Sequence, residues 1–176
     1  MRRLMLLRHA KTEADAPSGR DVDRRLDERG RADAAEIGNW IAKQAPDQVL
    51  VSTATRAQQT WTIVAEVLAA AGVHPEVALL PQLYSAGPSQ LLESIRDAAP
   101  SARNLLVIAH NPGLHELALG LVGSGDKGAG QALADNLPTG AVALLSFAGD
   151  DWADVTFRSG RLEAFVSPKL LKAAES

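Results

Sequence analysis

The chain has 176 residues, 46% of them apolar, which is enough for one substantial core and too few for two full-sized catalytic domains. Its 18 Lys and Arg against 21 Asp and Glu leave a formal net charge of -3, so neither nucleic acid nor a membrane is an expected partner. Cysteine is absent, which excludes disulfides, thiolate nucleophiles and thiolate metal sites; it fits a reducing compartment, and the cytoplasm is the expected location. The basic start has only four apolar residues, Leu4 to Leu7, before the next charge, too short for a signal-peptide core. No run nears the roughly 18 apolar residues of a membrane span.

In chain order, Leu4 to Leu7 predicts a short strand buried on both faces and ending in Arg8-His9. Lys11 to Arg24, with Pro17, Gly19 and several acidic residues, is expected to be a loop. Arg31 to Gln44 places Ala34, Ile37, Trp40 and Ile41 at helical spacing, with Asp27 available as a cap. Gln48 to Val51 predicts a second strand leading into Ser52 through Arg56, and Arg56 to Ala71 a second helix stopped by Gly72. Glu76 to Leu80 is a third strand, and Ser89 can cap a helix carrying Leu91, Leu92 and Ile95.

Asn104 to Ala109 is the clearest central strand and runs directly into His110-Asn111-Pro112-Gly113. A helix over Leu114 to Val122 follows, then a glycine-rich stretch, Gly120 to Gly130, expected as a mobile surface connection. Ala141 to Phe147 and Trp152 to Phe157 predict two strands joined by a hairpin-like turn at Gly149-Asp150-Asp151, whereas Pro168 to Ser176 has no clear pattern. Alternating strands and helices with long crossovers predict an α/β fold: a three-layer α/β/α sandwich with a mostly parallel central sheet and an antiparallel edge. No repeat or linker divides it, so residues 1–176 are expected to form a single domain.

Arg8-His9, Ser52 through Arg56, and His110 all end apolar strands. Ligands of open α/β sheets bind beyond the carboxyl ends of strands, so these three segments can converge in one cleft. Arginine offers a permanent charge and paired donors matched to phosphate oxygens, while histidine can attack or donate. The competing view of the same residues is that the arginines neutralise surface carboxylates and the histidines cap strand ends.

Three segments carry a resemblance to a known family: Leu-Leu-Arg8-His9-Ala10, Val-Ser52-Thr-Ala-Thr-Arg56-Ala-Gln-Gln-Thr60 and Val-Ile-Ala-His110-Asn-Pro-Gly113. Together they resemble the histidine phosphatase, or phosphoglycerate mutase-like, superfamily. Ala10 stands where that family often has glycine. Asp23 through Gly30 and Leu83-Tyr84-Ser85-Ala86 are similar to the short SixA-type phosphohistidine phosphatase branch.

The resemblance implies that His9 accepts the phosphoryl group and that Arg8, Arg56 and His110 complete the phosphate-binding core, with no metal and no cofactor. Ser52 either adds a hydroxyl to the substrate or serves as a structural cap. Arg24 either reaches an outer phosphate site or pairs with Asp23 or Glu28. Gln82 stands near Leu83-Tyr84, where many members place a carboxylic acid, so the general acid is unidentified and Asp15, Asp21 and Asp23 are its candidates.

Several other signals carry less chemistry. Lys127 is followed by Gly128 where a nucleotide-binding loop needs Ser or Thr, and His115 lies five residues after His110, off the helical spacing of a zinc pair. His74 follows a turn glycine and is expected to be exposed, and Trp40 and Trp61 fit apolar helix stripes.

The expected function is metal-independent phosphatase chemistry through a covalent phosphohistidine, acting on protein phosphohistidine. The alternatives are a phosphomonoesterase for a small metabolite or sugar phosphate, and an inactive phosphate-binding interaction protein. The partner is thus a phosphoprotein or a small phosphorylated metabolite, and the oligomeric state stays open.

Overall fold

In the computed structural model, which describes residues 1–175, strand β1 (Arg2–Arg8) divides its side chains between two cores. Leu4 and Leu6 enter one, Met5 and Leu7 the other, and all four are fully buried. Strands alternate sides residue by residue, so a continuous apolar run needs a helix layer on each face. Each such side chain contributes roughly 1.5–3 kcal/mol of burial.

The first layer is made by α1 (Glu28–Gln44), α2 (Thr55–Ala70) and α6 (Pro168–Glu175), which pack with Ile37, Ile41, Val64 and Leu68 over Met5 and Leu7. The second is made by α3 (Pro88–Arg96), α4 (Gly113–Leu121) and α5 (Lys127–Asp135), whose Leu91, Ile95, Leu114, Leu117 and Leu133 cover Leu4 and Leu6. Between them lie β2 (Gln48–Ser52), β3 (Glu76–Leu80), β4 (Asn104–Ala109), β5 (Val122–Gly125), β6 (Val142–Phe147) and β7 (Gly160–Val166).

The sheet order is β3-β2-β4-β1-β6-β7-β5. Strands β3, β2, β4 and β1 are mutually parallel, whereas β6 is antiparallel to both β1 and β7, and β5 runs parallel to β7. The α/β/α sandwich with a mostly parallel sheet and antiparallel pairing on one side is therefore what the alternation of elements predicts. The carboxyl ends of β1, β2 and β4 share one edge of the sheet.

Asp27 caps α1 as expected, its carboxylate accepting from the Gly30 N–H at 2.7 Å. Ser89 does not cap α3. That helix starts at Pro88, and Gln90 Oε1 reaches back to the Gly87 N–H at 3.1 Å.

Three differences lie in the last third of the chain. Trp152 to Phe157 is not a strand: Trp152–Asp154 is a 3-10 turn, capped by Asp151. Trp152 and Val155 plug the core while Phe157 stays exposed; Trp152 is fully buried, its Nε1 donating to the Ala102 carbonyl at 2.7 Å. The strand that pairs with β6 is β7, whose exposed Arg161 and Glu163 alternate with buried Gly160 and Leu162, the pattern of a strand covered on one face.

The glycine-rich stretch is not a mobile connection either; it holds β5 and leads into α5. Gly125, at φ +140°, lies where a Cβ would meet the Leu162 backbone carbonyl at 2.4 Å, so glycine is needed there for strand approach. Asp126 caps α5 through the Ala129 N–H at 2.8 Å. The segment from Pro168 forms α6 as far as Glu175, and Ser176 lies outside the described residues.

Candidate active site

Parallel register carries β1 and β4 to the site in step. Leu7 pairs with Ile108 and Arg8 with Ala109, so His9 and His110 follow their strands at the next, matched position. The His9 N–H donates to the Ala109 carbonyl at 3.3 Å. The two rings lie 5.2 Å apart between centroids, tilted by 48°. Helix α2 starts three residues after β2 ends and delivers Arg56 in its first turn.

His9 Nδ1 lies 2.8 Å from the Ala10 carbonyl. A carbonyl only accepts, so Nδ1 carries the hydrogen and, in the neutral ring, Nε2 keeps its lone pair. Burial first, then the charges of His110, Arg56 and Arg8, push the His9 pKa down to about 3 against the opposing pull of the Ala10 carbonyl. The ring is thus neutral at pH 7, with an unprotonated nitrogen able to attack an electrophile. Thr60 fixes the peptide behind it: its Oγ1 accepts from the Ala10 N–H at 3.0 Å and donates to the Arg56 carbonyl at 2.8 Å.

His110 Nε2 lies 2.7 Å from Ser52 Oγ, and that hydroxyl also accepts from the Ala54 N–H at 3.3 Å. Ser52 is therefore at once a turn cap and the neighbour of a site histidine. Burial, with Arg56 second, lowers the His110 pKa to about 4, opposed by Asp21. Arg8 donates Nη1 to the Leu137 carbonyl at 3.2 Å, and its pKa is lowered by burial and by Arg56. Arg8 Nε, Arg56 Nε and His110 Nδ1 are buried and have no hydrogen-bond partner.

Arg56 is held by Asp21, donating Nη1 to its carbonyl at 2.8 Å and Nη2 to its carboxylate at 3.0 Å. The same carboxylate accepts from Tyr84 Oη at 2.6 Å and from Arg24 Nη1 at 3.0 Å. The Tyr84 hydroxyl, followed by the two arginines, holds the Asp21 pKa far below the ordinary carboxylate range. Asp21 reciprocally raises the tyrosine pKa. The Tyr84 ring meets the Arg56 guanidinium at 5.8 Å and His110 edge-on at 5.6 Å.

Asp21, Arg56, Tyr84 and His110 line a cleft of about 350 Å³ together with Asn111 and Glu116, among others, whereas Arg8, His9 and Ser52 are not among its lining residues. A larger hollow of about 860 Å³ lies between α1 and α2 and contains none of them. The first turn of α4 is locked to the cleft wall at Gly113, where a Cβ would stand 1.9 Å from the Ala86 carbonyl oxygen.

Arg8, His9, Arg56, His110 and Ser52 thus come together. Arg24 approaches only through Asp21; its ion pair is with that residue rather than Asp23 or Glu28, and its other donors go to Thr12 Oγ1 and the Glu13 carbonyl. Asp23 accepts from Ser18, and an ionised Asp21 has no proton to donate. His115 turns to the Leu133 carbonyl, His74 is exposed, and Trp40 and Trp61 pack against the core. Among the described residues no group of three or more His, Asp or Glu side chains is arranged to hold a metal ion, and no helix is long and apolar enough to cross a membrane.

Sequence reasoning passed over Tyr84 and Glu116 as site residues, and Thr60 as a support for His9. Tyr84 had one available signal, being the only tyrosine in the chain.

The profile of the histidine phosphatase superfamily (branch 1) matches residues 4–83. The structure of a candidate phosphohistidine phosphatase SixA from Nakamurella multipartitia is 30% identical, covers 95% of this chain and 96% of its own, and superposes with a TM-score of 0.79. The chain belongs to the histidine phosphatase superfamily. Within that superfamily it closely resembles the SixA-type phosphohistidine phosphatase branch. A candidate SixA from Agrobacterium tumefaciens is 28% identical, covers 95% of this chain and 98% of its own, and has a TM-score of 0.76. An uncharacterized protein of Mycobacterium leprae is 33% identical over 171 residues, covering 93% of this chain and 100% of its own length. His110 beside Arg56 and Ser52 is a SixA-like arrangement, and family and site together support a histidine-phosphatase-type hydrolase.

Proposed function

We propose that this histidine phosphatase acts on protein phosphohistidine, without a metal, through a phosphoryl group carried on His9. The observation that carries the reading is the His9 ring itself: Nδ1–H committed to the Ala10 carbonyl, and Nε2 neutral beside Arg8, Arg56 and His110. The buried, unpartnered Nε donors of Arg8 and Arg56 and the unpartnered Nδ1 of His110, a donor when Nε2 accepts from the Ser52 hydroxyl, suit an anion whose oxygens would take them.

In the first step His9 Nε2 forms a bond to phosphorus as the substrate's nitrogen–phosphorus bond breaks, and the electron pair leaves on the substrate nitrogen. In the second, water attacks phosphorus, the Nε2–phosphorus bond breaks, and both water protons end on the released dihydrogen phosphate. The two guanidiniums and His110 hold the equatorial oxygens throughout.

Leaving-group chemistry favours phosphohistidine over an alkyl ester. An alkoxide needs a proton from a positioned acid, whereas an imidazole already protonated on its other nitrogen departs neutral. Asp21, the one first-loop candidate that lines the cleft, is held ionised by Tyr84 and the arginines. The SixA structures named above are described as candidate phosphohistidine phosphatases, which supports the same substrate class.

The test compares kcat/KM for a phosphohistidine protein and for physiological alkyl phosphates at matched pH, in the presence of a chelator. A preference of at least about tenfold, or about 1.4 kcal/mol, is expected for the phosphoprotein. Equal or better turnover of an alkyl phosphate would reject the reading in favour of a metabolite phosphatase.

A further inference from the structure

Glu116 is the one acidic residue of α4, and the fold leaves it little freedom in where it can stand. The helix begins directly after His110: the Leu114 N–H donates to the His110 carbonyl at 2.9 Å, and the Glu116 N–H to the Pro112 carbonyl at 3.0 Å. Leu114, Leu117, Ala118 and Leu121 bury one face in the core, so Glu116 falls on the exposed side. Close approach of Gly113 to the Ala86 carbonyl fixes the depth at which that first turn sits on the cleft wall. Glu116 consequently lines the same cleft as Arg56 and His110.

The charges of that cleft are unequally satisfied. Arg56 is matched by Asp21, whose carboxylate also takes Arg24 and Tyr84. The Glu116 side chain has no hydrogen bond or ion pair among the described residues. Its neighbour His115 points away, toward the Leu133 carbonyl. A phosphoryl group held between Arg56 and His110 therefore leaves whatever is attached to it in a space bounded by an unmatched negative charge.

We propose that Glu116 selects the substrate by the charge of its leaving group, favouring one that bears a protonated nitrogen and repelling one that bears a carboxylate. The proposal rests on the reading above only in placing the phosphoryl group at Arg56 and His110. For phosphohistidine, the ring nitrogen remote from phosphorus keeps its proton and donates it as a hydrogen bond to Glu116. No proton changes owner: the nitrogen–phosphorus bond breaks, the pair returns to that nitrogen, and the imidazole leaves neutral. Glu116 is thus a specificity-determining residue rather than a proton donor.

Two phosphonates of similar size separate the charge effect from turnover, because their carbon–phosphorus bond is not transferred. Calorimetric titration of the full chain with 2-aminoethylphosphonate and with phosphonoacetate gives a ratio of dissociation constants for the native protein, E116Q and E116K. The native protein should bind the ammonium ligand about tenfold more tightly than the carboxylate ligand. E116Q should bring the ratio close to one, and E116K should invert it. Both ligands are measured on the same preparation, so the ratio is independent of the fraction folded.

An unchanged ratio in all three proteins, or failure of either ligand to bind any of them, would overturn the proposal. Phosphohistidine turnover by the native protein, measured in parallel, keeps the two readings apart. A ratio that shifts without phosphohistidine turnover leaves the filter standing and removes the substrate. Turnover with a fixed ratio does the reverse.

Discussion

His9 and His110 leave neighbouring parallel strands at matched positions, and their rings lie 5.2 Å apart between centroids in a setting that keeps both uncharged. Their folded pKa values, about 3 and about 4, lie below the ordinary 6.5. Acidification therefore protonates these residues in the unfolded chain first. Below about pH 6.5 each histidine should cost about 1.4 kcal/mol of stability per pH unit, until its folded pKa is reached. Urea unfolding at a series of pH values from 7 to 4 should show H9Q and H110Q losing less stability than the native protein as pH falls. Parallel curves for all three would contradict the neutral pair.

Asp21 occupies Arg56 with both its carbonyl and its carboxylate, so an incoming phosphate competes with a resident anion. Replacing it by Asn removes the charge and keeps the backbone acceptor. Inorganic phosphate should then inhibit D21N about tenfold more strongly than the native protein, a gain of about 1.4 kcal/mol. R56A, by contrast, should lower kcat/KM by about 10²–10³, the usual loss for one donor to transition-state charge. Weaker phosphate inhibition of D21N would show that Asp21 organises the anion site instead of competing for it.

The strand runs and their polar endings were legible because β1, β2 and β4 are buried on both faces and end at one edge. The same logic hid β7, where Arg161 and Glu163 interrupt the apolar run because that strand is exposed on one side. Glycines in β5 looked like a linker, although at Gly125 they serve close strand approach. At the site, Arg8, His9, Arg56 and His110 could be named from strand endings and resemblance. The Tyr84–Asp21–Arg56 cluster joins three distant segments through side-chain hydrogen bonds, which no local spacing records.

Thr60 illustrates the same point, since its helical spacing marks it only as a face of α2. Its fully buried hydroxyl bridges the Ala10 N–H and the Arg56 carbonyl. T60V leaves a buried N–H without an acceptor and should cost about 1–3 kcal/mol in urea unfolding. It should also lower kcat by disturbing the peptide that orients His9, while T60S restores both. Native-like stability and turnover in T60V, which keeps the methyl and loses only the hydroxyl, would contradict that role.

The central claim is that phosphate passes through His9. Native protein mixed with a radiolabelled phosphohistidine protein, quenched within milliseconds at alkaline pH and digested, should carry the label on the peptide containing His9, and H9A should carry none and turn nothing over. Label on any other residue, or normal turnover by H9A, would contradict the account.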